Sequence, residues 1–240
     1  MKPYYQNEYC TIYNADARDC VSRLSDIELV LTDPPYSSGA RRDASKSARG
    51  AMLRGAAHKE NWFSHDNMTS WGFQWFLRSF LSALMPKVSL GAHFYVFTDW
   101  RMTPTVYGLL ESVNLRVNHC LVWDKKVFGM GSNWRNQHEN IVFASLGKPR
   151  AMAHRNRGTV LGFKGVHHAK KQHPTEKPID LLFDIVQATG MNNILDPFMG
   201  VGSTLVASMI LKKRVVGIDL SEPYCEIAAN RLEDVRTKLA

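Results

Sequence analysis

The chain has 240 residues, 45% of them hydrophobic, and a formal net charge of +8. That length and apolar content suit one α/β domain with a sizeable core, while the absence of any run of 18 apolar residues argues against a membrane span. Met1 to Tyr9 carry no secretory apolar stretch, the four cysteines (Cys10, Cys20, Cys120, Cys225) show no paired metal spacing, and both features suit a reduced, cytoplasmic protein. The positive balance favours an anionic partner.

In chain order, Thr11 to Tyr13 predicts a short strand leading to Asp16, Ala17 to Leu24 a helical turn, and Glu28 to Thr32 a buried strand running into Asp33. Ser37 to Asn61 carries Arg41, Arg42, Lys46, Arg49, Arg54 and Lys59 among Gly, Ser and Ala, so it lacks the apolar residues to bury itself and predicts a mobile loop. Ser70 is placed to cap a helix through Leu84. On it Trp71, Trp75, Ser79 and Ala83 form one stripe and Phe76, Phe80 and Leu84 its neighbour, and these aromatics read as core. Ala92 to Phe97 predicts a buried strand. Thr103-Pro104 opens a helix with Val106, Leu109, Leu110 and Val113 on its face. Arg116 to Trp123 predicts a strand, and Glu139 to Ala144 another that runs antiparallel, with the polar loop Phe128 to Asn136 between them. Gly147 to Gln172 is a second basic stretch, holding Arg155, Arg157, Lys170 and Lys171. Pro178 then fits the first turn of a helix faced by Ile179, Leu182, Phe183 and Val186. Ile194-Leu195 is a strand, Ser203 to Lys212 a helix, Val215 to Ile218 a strand ending at Asp219, and Pro223 starts the last helix. Strands alternating with helices predict a doubly wound, mostly parallel sheet with helices on both faces. No repeat or linker divides residues 1–240, so one domain with basic inserts at 37–61 and 147–172 is expected.

Two stretches stand where buried parallel strands should end, and ligands of open α/β sheets bind outside such ends. One is Asp33-Pro34-Pro35-Tyr36. The other is Asp196-Pro197-Phe198-Met199-Gly200-Val201-Gly202-Ser203-Thr204. In the second, Gly200 and Gly202 let the backbone approach a ligand, Ser203 can cap the following helix, and the helix N-terminus offers amides. Asp219 ends the next strand about 17 residues beyond Gly202, where an acid accepts hydrogen bonds from ribose hydroxyls. A dehydrogenase uses the same devices, so this spacing alone leaves the chemistry open. In the first stretch, successive prolines fix φ and hold Asp33 extended.

Together, Asp-Pro-Pro-Tyr, the later Asp-Pro-Phe-x-Gly-x-Gly-x-Thr and His173-Pro174-Thr175-Glu176-Lys177-Pro178 resemble the amino-methyltransferases of DNA. Their order resembles the circularly permuted beta class, over about Tyr13 to Leu232. The resemblance implies S-adenosylmethionine as methyl donor, lined by Asp196, Phe198, Gly200, Gly202, Ser203, Thr204 and Asp219. It implies Thr175, Lys177 and Pro178 at the donor's amino-acid end and Asp16 near its adenine. The family usually has Gly before that acid, where this chain has Ala15. It further implies that Asp33 and the Pro34 carbonyl accept hydrogens of an exocyclic base amine, next to Pro35, while Tyr36 stacks on the base. Double-stranded DNA is then the partner, contacted through Arg41, Arg42, Arg155, Arg157, Lys170 and Lys171, and homodimers are common in such families. Asp at the first tetrapeptide position usually marks adenine-N6 enzymes and Ser marks cytosine-N4 enzymes, so Asp33 implies adenine; the alternatives are cytosine-N4 methylation or an inactive DNA-binding relative. RNA or protein-glutamine methyltransferases favour Asn at that position and the opposite motif order.

Overall fold

A computed structural model describes residues 1–35, 69–129, 133–166 and 176–239. The strands are β1 (Tyr5–Gln6), β2 (Cys10–Asn14), β3 (Ile27–Thr32), β4 (Val88–Thr98), β5 (Leu115–Asp124), β6 (His138–Leu146), β7 (Val160–Gly162), β8 (Asn193–Asp196) and β9 (Arg214–Asp219). The helices are α1 (Ala17–Cys20), α2 (Ser70–Leu84), α3 (Thr103–Glu111), α4 (Ile179–Thr189), α5 (Ser203–Ile210) and α6 (Glu222–Leu239). The strands form one nine-stranded sheet in the order β1-β2-β9-β8-β3-β4-β6-β5-β7. The central run β2-β9-β8-β3-β4 is parallel, and β6 runs antiparallel to both β4 and β5.

Side chains alternate between two cores, one on each face. Leu29, Leu31, Tyr95 and Phe97 pack with Leu182, Val186, Leu205 and Leu232 of α4, α5 and α6. Val30, Phe94 and Val96 pack with Phe73, Phe80, Val106 and Leu110 of α2 and α3. Strands buried on both faces read as continuous apolar runs, as β3 and β4 do. Because the connection from β3 to β4 crosses one face and that from β8 to β9 crosses the other, adjacent β3 and β8 lead away in opposite directions. Their carboxyl ends flank the crevice expected at such a switch point.

Four local expectations change. Thr69, rather than Ser70, caps α2, its hydroxyl accepting from the Gly72 amide at 3.1 Å. Two stripes satisfied the helical period there, and the sheet covers Phe73, Leu77, Phe80, Leu81 and Leu84, leaving Trp71 and Trp75 80% and 66% exposed rather than in the core. Pro178 is the N-cap of α4, one position before its first turn. Within the second basic stretch, Val160 to Gly162 forms β7 against the end of β5, a pairing too short to show as periodicity. The 37–61 insert lies outside the described residues.

Candidate active site

The glycine-loop side is built almost wholly from contiguous chain. Asp196 ends β8 and is 4% exposed. Its Oδ1 accepts from the Phe198 amide at 3.2 Å, and the Thr204 hydroxyl bonds to it as well. Burial nevertheless dominates and pushes its carboxyl up to about 7, with the charges of Asp33 and Asp219 adding to the rise. The loop turns through Gly200 (φ +51°) and Gly202 (φ +77°), both in the left-handed region. A Cβ on Gly202 would lie 2.7 Å from that of Ala228 in α6, so this glycine lets loop and helix meet. A Cβ on Gly200 would face open space. Asp219 fastens the loop to β9, Oδ2 accepting from the Gly200 amide (2.9 Å) and Oδ1 from that of Ser221 (2.8 Å).

Gly202, not Ser203, holds the cap position of α5. The left-handed Gly202 takes the chain into the helix one residue early, and the Ser203 hydroxyl donates instead to Glu176 Oε1 at 3.4 Å. Glu176 pairs with Arg231 at 3.0 Å, and Arg231 Nη1 donates to the Val201 carbonyl at 2.8 Å. A clamp from α6 therefore grips the loop's back. The Phe198 ring rests 5.6 Å from those of Phe76 and Phe80 on α2. Asp16 caps α1, accepting from the Arg18 amide at 2.8 Å and pairing with the Arg18 guanidinium at 2.6 Å. It stands at the same edge, since the neighbouring Ala15 amide donates to the Asp219 carbonyl at 3.0 Å.

Across the crevice the side chains come from distant segments. Asp33 follows the last residue of β3, ahead of a buried Pro34 and a half-buried Pro35. Lys177 is buried, donates to Asp33 Oδ2, lies 3.2 Å from Glu139 Oε2 and sits 5.2 Å over the Phe97 ring. Glu139 Oε1 accepts from Lys125 Nζ at 2.6 Å. The result is an alternating row, Asp33–Lys177–Glu139–Lys125. Burial alone would lower the pKa of Lys177, but the carboxylates of Asp33 and Glu139 outweigh it and hold the ammonium well above the usual lysine range. Burial would likewise raise Glu139, and Lys177 and Lys125 reverse the sign and lower it. Lys177, expected at a donor's amino-acid end, is thus placed on Asp33.

One edge of the sheet therefore gathers Asp16, Asp33, Pro34, Pro35, Lys177, Pro178, Asp196, Phe198, Gly200, Gly202, Ser203, Thr204 and Asp219. Tyr36, Arg41, Arg42, Lys170, Lys171 and Thr175 lie outside the described residues. Arg155 is exposed, and Arg157 is tied to α4 by Asp184 (2.8 Å) and Gln187 (3.4 Å). Sequence reasoning missed Glu139, Lys125, Glu176 and Arg231. Glu139 had a signal, an acid opening an otherwise apolar strand, whereas Arg231 on an exposed-looking helix had none. Among the described residues no group of His, Cys, Asp and Glu is arranged to hold a metal ion, and no helix is long and apolar enough to cross a membrane.

A family model described as DNA methylase, the N6/N4 methyltransferases, matches residues 27–230. The type II methyltransferase M2.MboI of Moraxella bovis is 23% identical, with 98% of this chain and 92% of that protein covered. The type II methyltransferase M2.LlaDCHI of Lactococcus lactis subsp. cremoris is 24% identical over 96% and 92%. Among solved structures, the M1.HpyAVI–SAM complex has a TM-score of 0.68 at 20% identity, covering 93% of this chain and 98% of that one. The cytosine-N4-specific PvuII DNA methyltransferase reaches 0.70 at 12% identity, covering 98% and 93%. With its motifs gathered at one sheet edge and the family's pattern running through 204 of its residues, this chain belongs to the N6/N4 DNA methylase family.

Proposed function

We propose that this methyltransferase moves a methyl group from S-adenosylmethionine to the exocyclic N6 of adenine in duplex DNA. The residues present fit that donor. Gly200 opens on empty space, the loop's amides stand at a helix N-terminus, and Asp196 and Asp219 end neighbouring strands. Asp219 ends β9 beside the glycine loop, its Oδ2 accepting from the Gly200 amide, where an acid meets ribose hydroxyls. When bound, S-adenosylmethionine supplies an electrophilic methyl group on a sulfonium sulfur.

The chain's own residues must then present the amine. Its nitrogen is a poor nucleophile because the lone pair is delocalised into the base. Asp33 and the Pro34 carbonyl accept hydrogen bonds from its two N–H groups, which favours a tetrahedral nitrogen with the lone pair exposed. Lys177 donates to one oxygen of Asp33 and so fixes where the carboxylate points. A duplex hides this amine, so the base must be flipped out at a cost of a few kcal/mol, offset by contacts in the pocket such as stacking on Tyr36.

The observation that carries the reading is Asp33 itself, at the end of β3 and anchored by a buried lysine. In the family this position is usually Asp in adenine enzymes and Ser in cytosine enzymes. The test is to incubate unmethylated plasmid DNA with the protein and donor, digest it to nucleosides and weigh them. The expected product is a methylated deoxyadenosine. A mass shift confined to deoxycytidine would reverse the choice of base and leave family and site intact.

A further inference from the structure

We propose that the described ends of the turn between β5 and β6 contact duplex DNA, with Trp134 stacking on a base beside the flipped nucleotide and Phe128 with Arg135 gripping the adjoining strand. The proposal rests on DNA being the substrate, as above. Topology supplies the first argument. β6 is antiparallel to both β4 and β5, so β5 runs with β3 and β4 and its end at Asp124 reaches the same edge as Asp33. The Lys125–Glu139–Lys177–Asp33 row joins the base of this turn to the catalytic carboxylate. Its base is ordered: the Lys125 amide donates to the Gln137 carbonyl (2.9 Å), Gln137 Nε2 to Asp124 Oδ1 (2.9 Å) and the Gly129 amide to the Asn136 carbonyl (2.7 Å).

What the described ends of this turn present is apolar and basic at once. Trp134 is 99% exposed and Phe128 67% exposed, and Arg135 reaches back to lie 5.6 Å from the Phe128 ring while its Nε donates to the Gly129 carbonyl at 2.7 Å. A second aromatic–arginine pair, Arg101 lying 5.0 Å from the Trp100 ring, follows the end of β4 on the same edge. Aromatic faces interleaved with guanidinium groups are the chemistry that meets bases and phosphates, and indole rings left in water are a poor surface for anything without a flat apolar face. Of the basic residues favoured from the sequence, the described Arg157 lies elsewhere. Arg157 is tied to the second half of α4, and the His154 amide bonds the Ala188 carbonyl near that helix's end, towards the amino edge of the sheet where β8 begins.

The test uses the full chain and unmethylated plasmid DNA, with radioactive methyl incorporation read as kcat and KM for DNA, donor affinity by calorimetry and mass by sedimentation. Trp134→Ala should raise KM for DNA roughly ten-fold, in line with the loss of one stacked base. Donor affinity and sedimentation should be unchanged, and Trp134→Phe should restore most of the effect. Arg135→Ala should reduce the steepness with which DNA binding falls with salt. A DNA KM within two-fold of wild type in the Trp134→Ala, Phe128→Ala pair would overturn the proposal. So would a change of sedimentation with unchanged KM, which would assign the surface to a second copy of the chain. A wild-type chain that neither binds nor methylates the plasmid would sink the function above as well, whereas active wild type with active variants sinks this inference alone.

Discussion

The two sides of the crevice hold buried acids in opposite electrostatic states. On the glycine-loop side, Asp196 is met, among the described residues, by an amide and a hydroxyl and by no cation, and burial carries its carboxyl towards neutrality. On the Asp33 side, Glu139 is mostly enclosed, yet Lys177 and Lys125 keep it below the usual carboxylate range. A neutral, amide-rich pocket suits a cofactor that is held by many weak contacts. An ionised row suits a carboxylate that must accept hydrogens from an amine and stay in place. Burial alone fixes neither state; the partner does.

The largest effect that would break this comparison is at Asp33. Asp33→Ala should cut methyl incorporation on the order of 10³-fold, the loss typical of one preorganised polar group at a reacting centre. Calorimetry should find donor affinity within a few-fold, because the loop, Asp196 and Asp219 are untouched. Near-normal turnover would remove the catalytic role from this side of the crevice.

Next comes the cation between the two acids. Lys177→Met takes the shared ammonium from Asp33 and leaves Glu139 with Lys125 alone, and breaking a buried pair by one partner costs about 3–5 kcal/mol. Denaturant unfolding should show that loss. Adding Glu139→Gln should recover part of it, since it removes the acid in excess once the ammonium is gone. Two destabilisations that simply add would show that the row is a set of independent contacts. The sign with pH follows from Glu139. Its folded pKa is lowered, so its stabilisation is complete above the ordinary value of 4.5 and is lost as pH falls through the folded value.

The same contrast explains what could be read from sequence. The cofactor side is one run, Asp196 to Thr204, plus an acid at the end of the next strand, so spacing along the chain reports spacing in the fold. The doubly wound, mostly parallel architecture was legible for the same reason, since strands alternating with helices point to it. The catalytic side joins residues 33, 125, 139 and 177. Nothing local at Lys177 distinguishes a donor contact from a carboxylate partner, and only the antiparallel insertion of β6 beside β4 brings Glu139 to it. Trp71 and Trp75 were misread because period fixes a stripe without saying which stripe the sheet covers.

A smaller effect sharpens the cofactor side. Asp219→Ala removes the acceptor of the Gly200 amide in the loop and of the Ser221 amide in the turn after β9. Hydrogen bonds to a charged group are worth about 1.5–3 kcal/mol. Donor affinity should therefore fall roughly ten- to hundred-fold by calorimetry, whereas catalysis at saturating donor should fall far less than in Asp33→Ala. Equal losses in both would merge the two sides into one functional unit.

The smallest effect tests the neutral state itself. The folded pKa of Asp196, about 7, is raised above the ordinary 3.8. A raised pKa means the folded protein holds the proton more tightly than the unfolded chain. Stability from this group is therefore complete below about pH 4 and is lost as pH climbs towards 7, opposite in sign to Glu139. Asp196→Asn keeps an oxygen for the Phe198 amide and removes the titration. Between pH 5 and pH 7 the wild type should lose roughly 1–2 kcal/mol relative to the variant, since each unit of pKa difference is worth about 1.4 kcal/mol. Parallel unfolding curves across that range would mean that Asp196 stays ionised when buried, held by the Thr204 hydroxyl and the Phe198 amide, and the two acids would then differ in their partners but not in their charge.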